Sequence, residues 1–162
     1  MPTVTIIAAV DKQLAIAKNG KIPWHLAADM KHFSEITAEG TVVMGRKTYE
    51  SLPSRFKPLP GRKNVIITKD VNFPAPGCWT FQTINPVLEC ASVEVFVIGG
   101  AEIYKLFMPY ANRLIITHVE TKVGGDVFFP KIEDKWRARF VSEHPRDKQN
   151  DYSFTIVEYK ID

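Results

Sequence analysis

The chain has few cysteines and histidines, and neither residue type is arranged as a metal site. Cys78 and Cys90 are the only cysteines among the 162 residues, and they do not form a Cys-x-x-Cys pair. The four histidines are scattered and never recur at the i, i+4 spacing of helical metal ligands. We therefore expect no bound metal, and we interpret both cysteines as small buried residues.

Long apolar runs and a strong charge bias are also missing. No segment approaches the roughly 20 apolar residues of a membrane span, and the first residues lack the basic start of a signal peptide. The formal net charge of +3 comes from 21 basic and 18 acidic residues that are interleaved. We therefore expect a cytoplasmic protein that binds neither membranes nor nucleic acid. With 45% hydrophobic residues, the length suits one domain over residues 1–162, and a monomer is the default.

Alternation of short apolar runs with helical patterns predicts the fold. Predicted strands cover residues 3–10, 41–44, 64–68, 78–81, 93–98, 113–120, 136–143 and 152–160. Predicted helices cover residues 26–36, 46–52, 86–91 and 101–108, and residues 11–24 form a long loop. The last three strands follow one another without helices. The pattern predicts an α/β fold with an eight-stranded, mostly parallel central sheet, antiparallel C-terminal strands and about four flanking helices.

Asp29 is placed unusually for a carboxylate. On a helical wheel it lies on the apolar side with Met30, Phe33 and Ile36, whereas His32 lies on the polar side. Burying an unpaired carboxylate is costly, so a compensating group is needed. Either a structural hydrogen-bond donor satisfies Asp29, or Asp29 lines a cleft and holds a ligand with N–H donors.

Several strand ends are suitable for a phosphate. Arg46 and Lys47 begin a helix directly after a strand, and Thr68-Lys69 ends another strand. The pair Gly99-Gly100 joins a strand to a helix and permits close approach of a pyrophosphate. A solvated basic turn and tight strand-to-helix packing are the structural alternatives, and from these features alone both stay open.

In order and spacing, these pieces resemble a bacterial-type dihydrofolate reductase over essentially the whole chain. The matching motifs are residues 7–9, 22–24, Asp29, residues 44–48, 58–64, 98–100, 117–118 and 125–126. The resemblance implies NADPH-dependent reduction of 7,8-dihydrofolate to tetrahydrofolate, with hydride transfer to C6 and protonation at N5. It also implies a role in one-carbon metabolism and inhibition by antifolates.

The resemblance assigns the catalytic group to Asp29, Trp24 and Ile22. Asp29 would accept hydrogen bonds from the pterin amino group and N3, and Thr117 would hydrogen-bond Asp29. Trp24 would help to hold the water that protonates N5, and Ile22 would lie in a loop that closes over the nicotinamide.

The other implied contacts form two sets. The substrate set is mainly apolar and consists of Ile7, Ala8, Met30, Phe33, Leu52, Leu59, Ile98, Tyr104 and Thr117, with Arg62 pairing with the glutamate-tail carboxylate. The cofactor set is Ala9, Ile16, Asn19, Gly20, Gly45, Arg46, Lys47, Thr48, Thr68, Lys69, Gly99, Gly100, Ala101, Glu102, Ile103 and Tyr104. Within it, Arg46, Thr68 and Lys69 resemble the contacts to the 2′-phosphate.

The chain departs from the family pattern in places, and other functions compete. Glu102 stands where relatives often have a basic residue, and Ala17 stands where glycine is common. A pyrimidine reductase of riboflavin synthesis is the nearest alternative enzyme, but the spacing of Trp24 and Asp29 and the turn that presents Arg62 argue against it. A non-catalytic binding protein of the same fold, or a basic nucleic-acid binder, would require a vestigial pocket.

Overall fold

The computed structural model describes residues 2–90 and 94–161. Its strands are β1 (Val4–Val10), β2 (Ala15–Ala17), β3 (Thr41–Gly45), β4 (Lys63–Ile67), β5 (Trp79–Phe81), β6 (Val95–Val97), β7 (Arg113–Val119), β8 (Val127–Phe128), β9 (Arg137–His144) and β10 (Phe154–Lys160). Its helices are α1 (Ala27–Thr37), α2 (Arg46–Ser51), α3 (Asn85–Cys90) and α4 (Ala101–Phe107), with 3₁₀ turns at Ser54–Phe56 and Met108–Tyr110. In the described part of the chain, no helix is both long and apolar enough to cross a membrane.

Eight strands form one sheet in the order β5-β4-β3-β6-β1-β7-β10-β9. The pairings β4–β5, β3–β4, β3–β6 and β1–β6 are parallel. The pairings β7–β10 and β9–β10 are antiparallel, with a register shift between Ile156 and Val157. Parallel neighbours need long crossover connections, and the stretches that contain α1 to α4 lie between the parallel strands. The predicted eight-stranded α/β fold with four helices is therefore confirmed.

Residues 11–24 differ from the prediction of one long loop. Ala15–Ala17 forms β2, which pairs antiparallel with β8 in a separate two-stranded sheet. Next to this pair, a Cβ on Gly125 would lie only 2.6 Å from the carbonyl oxygen of Ala17. β2 forms only because residues 15–17 pair with residues 127–128, which are distant in sequence. The local sequence pattern therefore did not predict this strand.

The chain divides into two compact units. Unit 1 comprises Met1–Ile6 and Thr37–Ala111, and unit 2 comprises Ile7–Ile36 and Asn112–Asp162. The core of unit 1 consists of aliphatic side chains from its central strands, including Val42, Val43, Met44, Ile66, Val95 and Val97. The core of unit 2 contains Leu26, Ile115, Val119, Phe154 and Ile156. The single domain expected from the sequence stays a prediction.

Helix α1 packs through a side that matches the helical wheel only in part. Ala28 and Ile36 contact the core of unit 2, and His32 between them is half-buried. Met30 is 55% exposed, so its predicted burial is wrong. The packed side is therefore centred on Ala28, His32 and Ile36. Asp29 consequently lies at the edge of the packed face.

Two predictions at the ends of elements fall partly outside the described residues. The predicted helix 86–91 and strand 93–98 include residues 91 and 93, and the described parts are α3 and β6. Cys78 is half-buried rather than buried, and the side chain of Cys90 lies outside the described residues.

Candidate active site

Asp29 has a hydrogen-bond partner on the neighbouring sheet of unit 2. The hydroxyl of Thr117, on β7, donates to Oδ1 of Asp29 at 2.6 Å. Burial raises the pKa of Asp29, whereas the Thr117 hydrogen bond and the charge of His32 oppose that increase. The threonine thus answers the buried-charge problem posed by the sequence, and the carboxylate keeps a second oxygen that can accept from a ligand.

The first turn of α1 is held by a side chain from a distant loop. The backbone N–H of Ala28 donates to Oδ1 of buried Asn150 at 3.0 Å, and Asp147 accepts from the Asn150 amide at 2.8 Å. Such a cap satisfies an N–H that has no partner within the helix. It fixes the turn that carries Asp29. Asn150 was not predicted, because its contact spans 122 residues of sequence.

Small and aromatic residues predicted for the site pack together in unit 2. Ile7 and Ala9, which alternate along β1, and Trp24 all pack against the core of this unit as partly buried side chains. Ala8 points to the other side of the strand and is buried. The structure thus places Trp24 on the same apolar cluster as two residues predicted to face the ligands.

Residues 11–24 are anchored by two aspartates. Buried Asp11 accepts hydrogen bonds from the N–H groups of Gln13, Ala15 and Val123 at 2.8–3.0 Å. Asp126 accepts from the N–H of Asn19 at 3.0 Å. Neither anchor was predicted, because the donors are backbone N–H groups, which leave no pattern in the sequence.

The tip of this segment is open to solvent. Ile22 is 72% exposed, and Asn19 and Gly20 are exposed in left-handed backbone conformations. Ile16 is half-buried in β2. Ile22 is thus an apolar side chain exposed to water, three residues after the anchored Asn19.

In unit 1, the predicted glycine positions meet at the ends of β3 and β6. The N–H of Gly45 donates to the carbonyl of Gly99 at 2.8 Å. A Cβ on Gly45 would lie 2.9 Å from Cγ1 of Ile103, and Gly99 has φ of +119° with Tyr104 directly beside it. Packing against Ile103 therefore requires glycine at position 45, and the positive φ requires glycine at position 99. For Gly99, this agrees with the structural alternative of tight strand-to-helix packing.

Gly100 is different from the other two glycines. A Cβ there would meet only Oγ1 of Thr48, at 3.6 Å, which is an ordinary contact, and its φ is −83°. In the described part of the chain, no atom beyond the neighbouring residues therefore blocks a side chain at this half-buried position. The surface beside Gly100 and Thr48 is therefore open to the close approach of another group. Buried Tyr104 lies one helical turn on, and burial raises its pKa.

Arg46 lies at the start of α2 and has two partners. Its Nε is 3.3 Å from Oε1 of Glu50, and its guanidinium lies 5.7 Å from the centroid of the Phe73 ring. Phe73 in turn packs edge-on against Tyr49 at 5.9 Å. These contacts orient the guanidinium. Phe73 was missed, because it lies in a loop without hydrophobic periodicity.

Three charged residues predicted for the cofactor lie at the surface, whereas Thr68 does not. Lys47, Lys69 and Glu102 are exposed, and Ala101 is half-buried. Thr68 is buried, and its hydroxyl accepts from the N–H of Asp70 at 3.2 Å.

Arg62 is held in a defined orientation within unit 1. Its Nε donates to the hydroxyl of buried Thr37 at 2.9 Å, and its NH1 donates to the Pro60 carbonyl at 2.7 Å. Fully buried Asn64 exchanges two hydrogen bonds with the backbone of Leu59 and so anchors the turn. Leu59 is buried, whereas the other predicted apolar contacts Leu52, Ile98 and Phe33 are half-buried.

These two groups of residues define a class of protein. A strand-end glycine cradle with cations nearby, together with a carboxylate in apolar surroundings, is typical of an α/β enzyme that uses a nucleotide cofactor. The family model for dihydrofolate reductase matches residues 3–161. The chain belongs to the dihydrofolate reductase family.

Individual relatives agree with this assignment. The chain is 41% identical over 162 residues to the dihydrofolate reductase of Neisseria gonorrhoeae, covering 98% of each chain. It is 35% identical over 160 residues to that of Bacillus subtilis, covering 97% of this chain and 94% of the relative. The solved structure of Enterococcus faecalis dihydrofolate reductase complexed with NADP(H) and RAB-propyl matches with a TM-score of 0.85 at 29% identity, covering 99% and 96% of the two chains. The comparisons favour dihydrofolate over the pyrimidine substrate considered above.

Proposed function

We propose that this chain reduces 7,8-dihydrofolate to 5,6,7,8-tetrahydrofolate with NADPH and that Asp29, held by Thr117, recognises the pterin. The observation that carries this assignment of Asp29 is the 2.6 Å hydrogen bond to a carboxylate whose pKa burial raises. If Asp29 had only a structural role, the hydrogen bond from Thr117 would be sufficient for it. The remaining acceptor capacity suits the amino group and N3–H of a pterin, which donate side by side.

NADPH supplies the hydride, from C4 of its nicotinamide to C6 of the pterin. Asp29 orients the pterin and, through its charge, favours the protonated ring. Trp24 packs beside Ile7 and Ala9 in the core of unit 2, which supports a role in holding the water that brings the proton to N5. Exposed Ile22 then covers the nicotinamide and excludes solvent when the ligands are bound.

The remaining substrate contacts divide by chemistry. Arg62 pairs with the α-carboxylate of the glutamate tail, and its hydrogen bonds to Thr37 and Pro60 support this assignment because they fix the plane of the guanidinium. The pterin and the aminobenzoyl ring contact the small and apolar residues, which are Ile7, Ala8, Met30, Phe33, Leu52, Leu59, Ile98 and Tyr104.

For the cofactor, the backbone at Gly99-Gly100 lies against the pyrophosphate, with Thr48 beside it. The open space beside Gly100, where a Cβ would meet only Oγ1 of Thr48 at 3.6 Å, supports this contact. Arg46 binds the 2′-phosphate, since Glu50 and Phe73 hold its guanidinium at the end of β3. The other assigned contacts are Ala9, Ile16, Asn19, Gly20, Gly45, Lys47, Thr68, Lys69, Ala101, Glu102, Ile103 and Tyr104.

We also propose that the protein acts as a monomer in the cytoplasm. This reaction draws on the NADPH pool and supplies tetrahydrofolate for one-carbon metabolism, including thymidylate, purine and glycine synthesis. The mixed, moderate surface charge supports an enzyme that works without a nucleic-acid partner.

The loss of NADPH absorbance on adding dihydrofolate tests the proposal, with NADH as a comparison. Asp29→Asn keeps the shape of the side chain but removes its charge, so we expect kcat/KM to fall about a hundredfold near neutral pH. Activity should recover partly in acid, where solvent supplies the proton. Asp134→Asn, at an exposed position, is the matched control and should retain wild-type rates. An Asp29→Asn variant as active as the control would refute the role of Asp29.

A further inference from the structure

A turn at residues 147–151, between β9 and β10, holds the stretch that lies between Trp24 and Asp29 in unit 2. Four hydrogen bonds join the two segments. They run from the N–H of His25 to Oδ2 of Asp151 at 2.7 Å, from the N–H of Asp151 to the carbonyl of His25 at 2.9 Å, from the N–H of Ala27 to the carbonyl of Gln149 at 3.1 Å, and from the N–H of Ala28 to Oδ1 of Asn150 at 3.0 Å. The beginning of α1 therefore depends on a segment that is distant in sequence.

Asn150 is the buried residue of this turn, with 2% exposure. Its amide Nδ2 donates to Oδ1 of Asp147 at 2.8 Å, and the same Oδ1 accepts from the N–H of Gln149 at 2.8 Å. The backbones of Asp147 and Asn150 also exchange hydrogen bonds, at 3.1 and 3.3 Å. Because a carboxylate holds the nitrogen of the Asn150 amide, the amide oxygen is fixed in its direction toward Ala28.

The first turn of α1 needs such a partner. The first N–H groups of an α-helix have no acceptor inside the helix, and that of Ala28 is one of them. Asp29 is the next residue, and its bond from Thr117 holds the same turn from β7. A carboxylate that binds two N–H groups of a ligand must be placed within about 0.5 Å. The bond between Asn150 and Ala28 is therefore located where it can set the position of Asp29.

We propose that Asn150 is a positioning residue for dihydrofolate. It acts through the first turn of α1, which it holds so that the Asp29 carboxylate meets the N–H groups of the pterin. Asp147 supports Asn150 from the surface, where its side chain is 46% exposed. This inference rests on the proposed contact between Asp29 and the pterin, and it makes substrate affinity depend on a buried side chain in a distant turn.

Asn150→Ala removes the acceptor for the Ala28 N–H, and steady-state kinetics measure the consequence. Misplacement by about 1 Å can cost about a hundredfold in rate. Because the Thr117 hydrogen bond remains and limits the displacement, we expect kcat/KM for dihydrofolate to fall about tenfold. Most of this change should appear in KM, since Asp29 contacts the bound substrate as well as the transition state. KM for NADPH should stay unchanged. Lys148→Ala shortens an exposed side chain in the same turn and, as the matched control, should keep wild-type values.

The pKa of Asp29 provides a second readout that needs neither dihydrofolate nor NADPH. Burial raises this pKa, and the Thr117 hydrogen bond and the charge of His32 lower it. If the first turn of α1 loosens, the Thr117 hydrogen bond weakens, so the pKa of Asp29 should rise in Asn150→Ala. NMR of the Asp29 carboxyl carbon during a pH titration measures this rise. A merely structural role of Asn150 would lower Tm and leave the pKa unchanged.

Asp147→Ala decides the question if Asn150→Ala does not fold. It removes an exposed side chain and releases the Nδ2 end of Asn150, so KM and the pKa of Asp29 should both rise, by less than in Asn150→Ala. Wild-type values in whichever of these variants folds, equal changes in Lys148→Ala, or a rise in KM without a rise in the pKa would overturn the proposal. A wild type that leaves dihydrofolate unreduced would instead refute the proposed function, and the pKa of Asp29 would still show whether Asn150 positions it.

Discussion

Replacing Thr117 by valine removes the hydrogen bond to Asp29 with almost no change in volume. Thr117 is 4% exposed, and its hydroxyl lies 2.6 Å from Oδ1 of Asp29. Hydrogen bonds to charged groups contribute about 1.5–3 kcal/mol, so Thr117→Val should lower the free energy of unfolding by about 2 kcal/mol while Asp29 is ionised. For a chain of this size, that corresponds to a fall in Tm of about 4–8 °C.

The loss should depend on pH in a defined direction. The hydroxyl donates to the ionised carboxylate and so opposes the increase that burial causes in the pKa of Asp29. Without it, the pKa of Asp29 in the folded protein rises further. The destabilisation is therefore largest above that pKa and shrinks as the pH falls and the carboxyl becomes protonated. The apparent pKa in the profile of kcat/KM against pH should move upward in the variant.

Urea unfolding at neutral and acidic pH measures this dependence. Thr155→Val, at a half-buried position on β10, is a control whose effect should be the same at both pH values. A double-mutant cycle with Asp29→Asn should show that most of the loss in Thr117→Val requires the carboxylate. An equal loss at both pH values, or a loss that persists in full when Asp29 is already asparagine, would refute the reasoning.

Other predictions follow from single observations. Asp29→Asn should be more stable than the wild type at neutral pH in urea unfolding. The raised pKa means that Asp29 contributes stability below its unfolded pKa and loses that contribution as the pH rises through its folded pKa, so the difference should disappear in acid. Gly100→Ala should change the free energy of unfolding by less than about 1 kcal/mol but weaken NADPH binding in a fluorescence titration. Gly99→Ala, at φ of +119°, should lower the free energy of unfolding by about 1–3 kcal/mol in a thermal melt. Equal losses of stability in the two variants would contradict this difference. Asn64→Ala should lower the free energy of unfolding by about 2–3 kcal/mol and raise KM for dihydrofolate, because it releases the backbone of Leu59. An unchanged KM would show that the turn keeps its shape without the Asn64 side chain.

The local pattern of apolar residues was sufficient to predict most strands of the main sheet. Apolar runs bounded by glycine and proline identified the strands now seen as β1, β3, β4 and β7 within one or two residues, because burial on both faces demands continuous apolar sequence. The same logic failed for β2, whose three residues become a strand only by pairing with β8. A strand of this length has too few positions to show a period.

The candidate site was predictable where its residue types are chemically unusual. Asp29 drew attention because a carboxylate on an apolar face needs a partner, and the resemblance supplied Thr117 as that partner. Asn150, Asp11 and Phe73 were not found, because each acts through a contact whose sequence separation is unrelated to any local period.

The sequence pattern was sufficient to predict most strands and helices, and it proposed which side chains bind an anion or a pterin. Contacts between distant segments set which side of α1 packs, and they leave Met30 exposed and Asp29 at the edge of the packed face. The tertiary contacts also separated Gly100, where a side chain would meet open space, from Gly45 and Gly99, where neighbouring side chains or the backbone conformation exclude one. The physical reason is the same in both cases. Composition and period describe what a residue can do along the chain, whereas the space around its Cβ is set by residues far away in sequence.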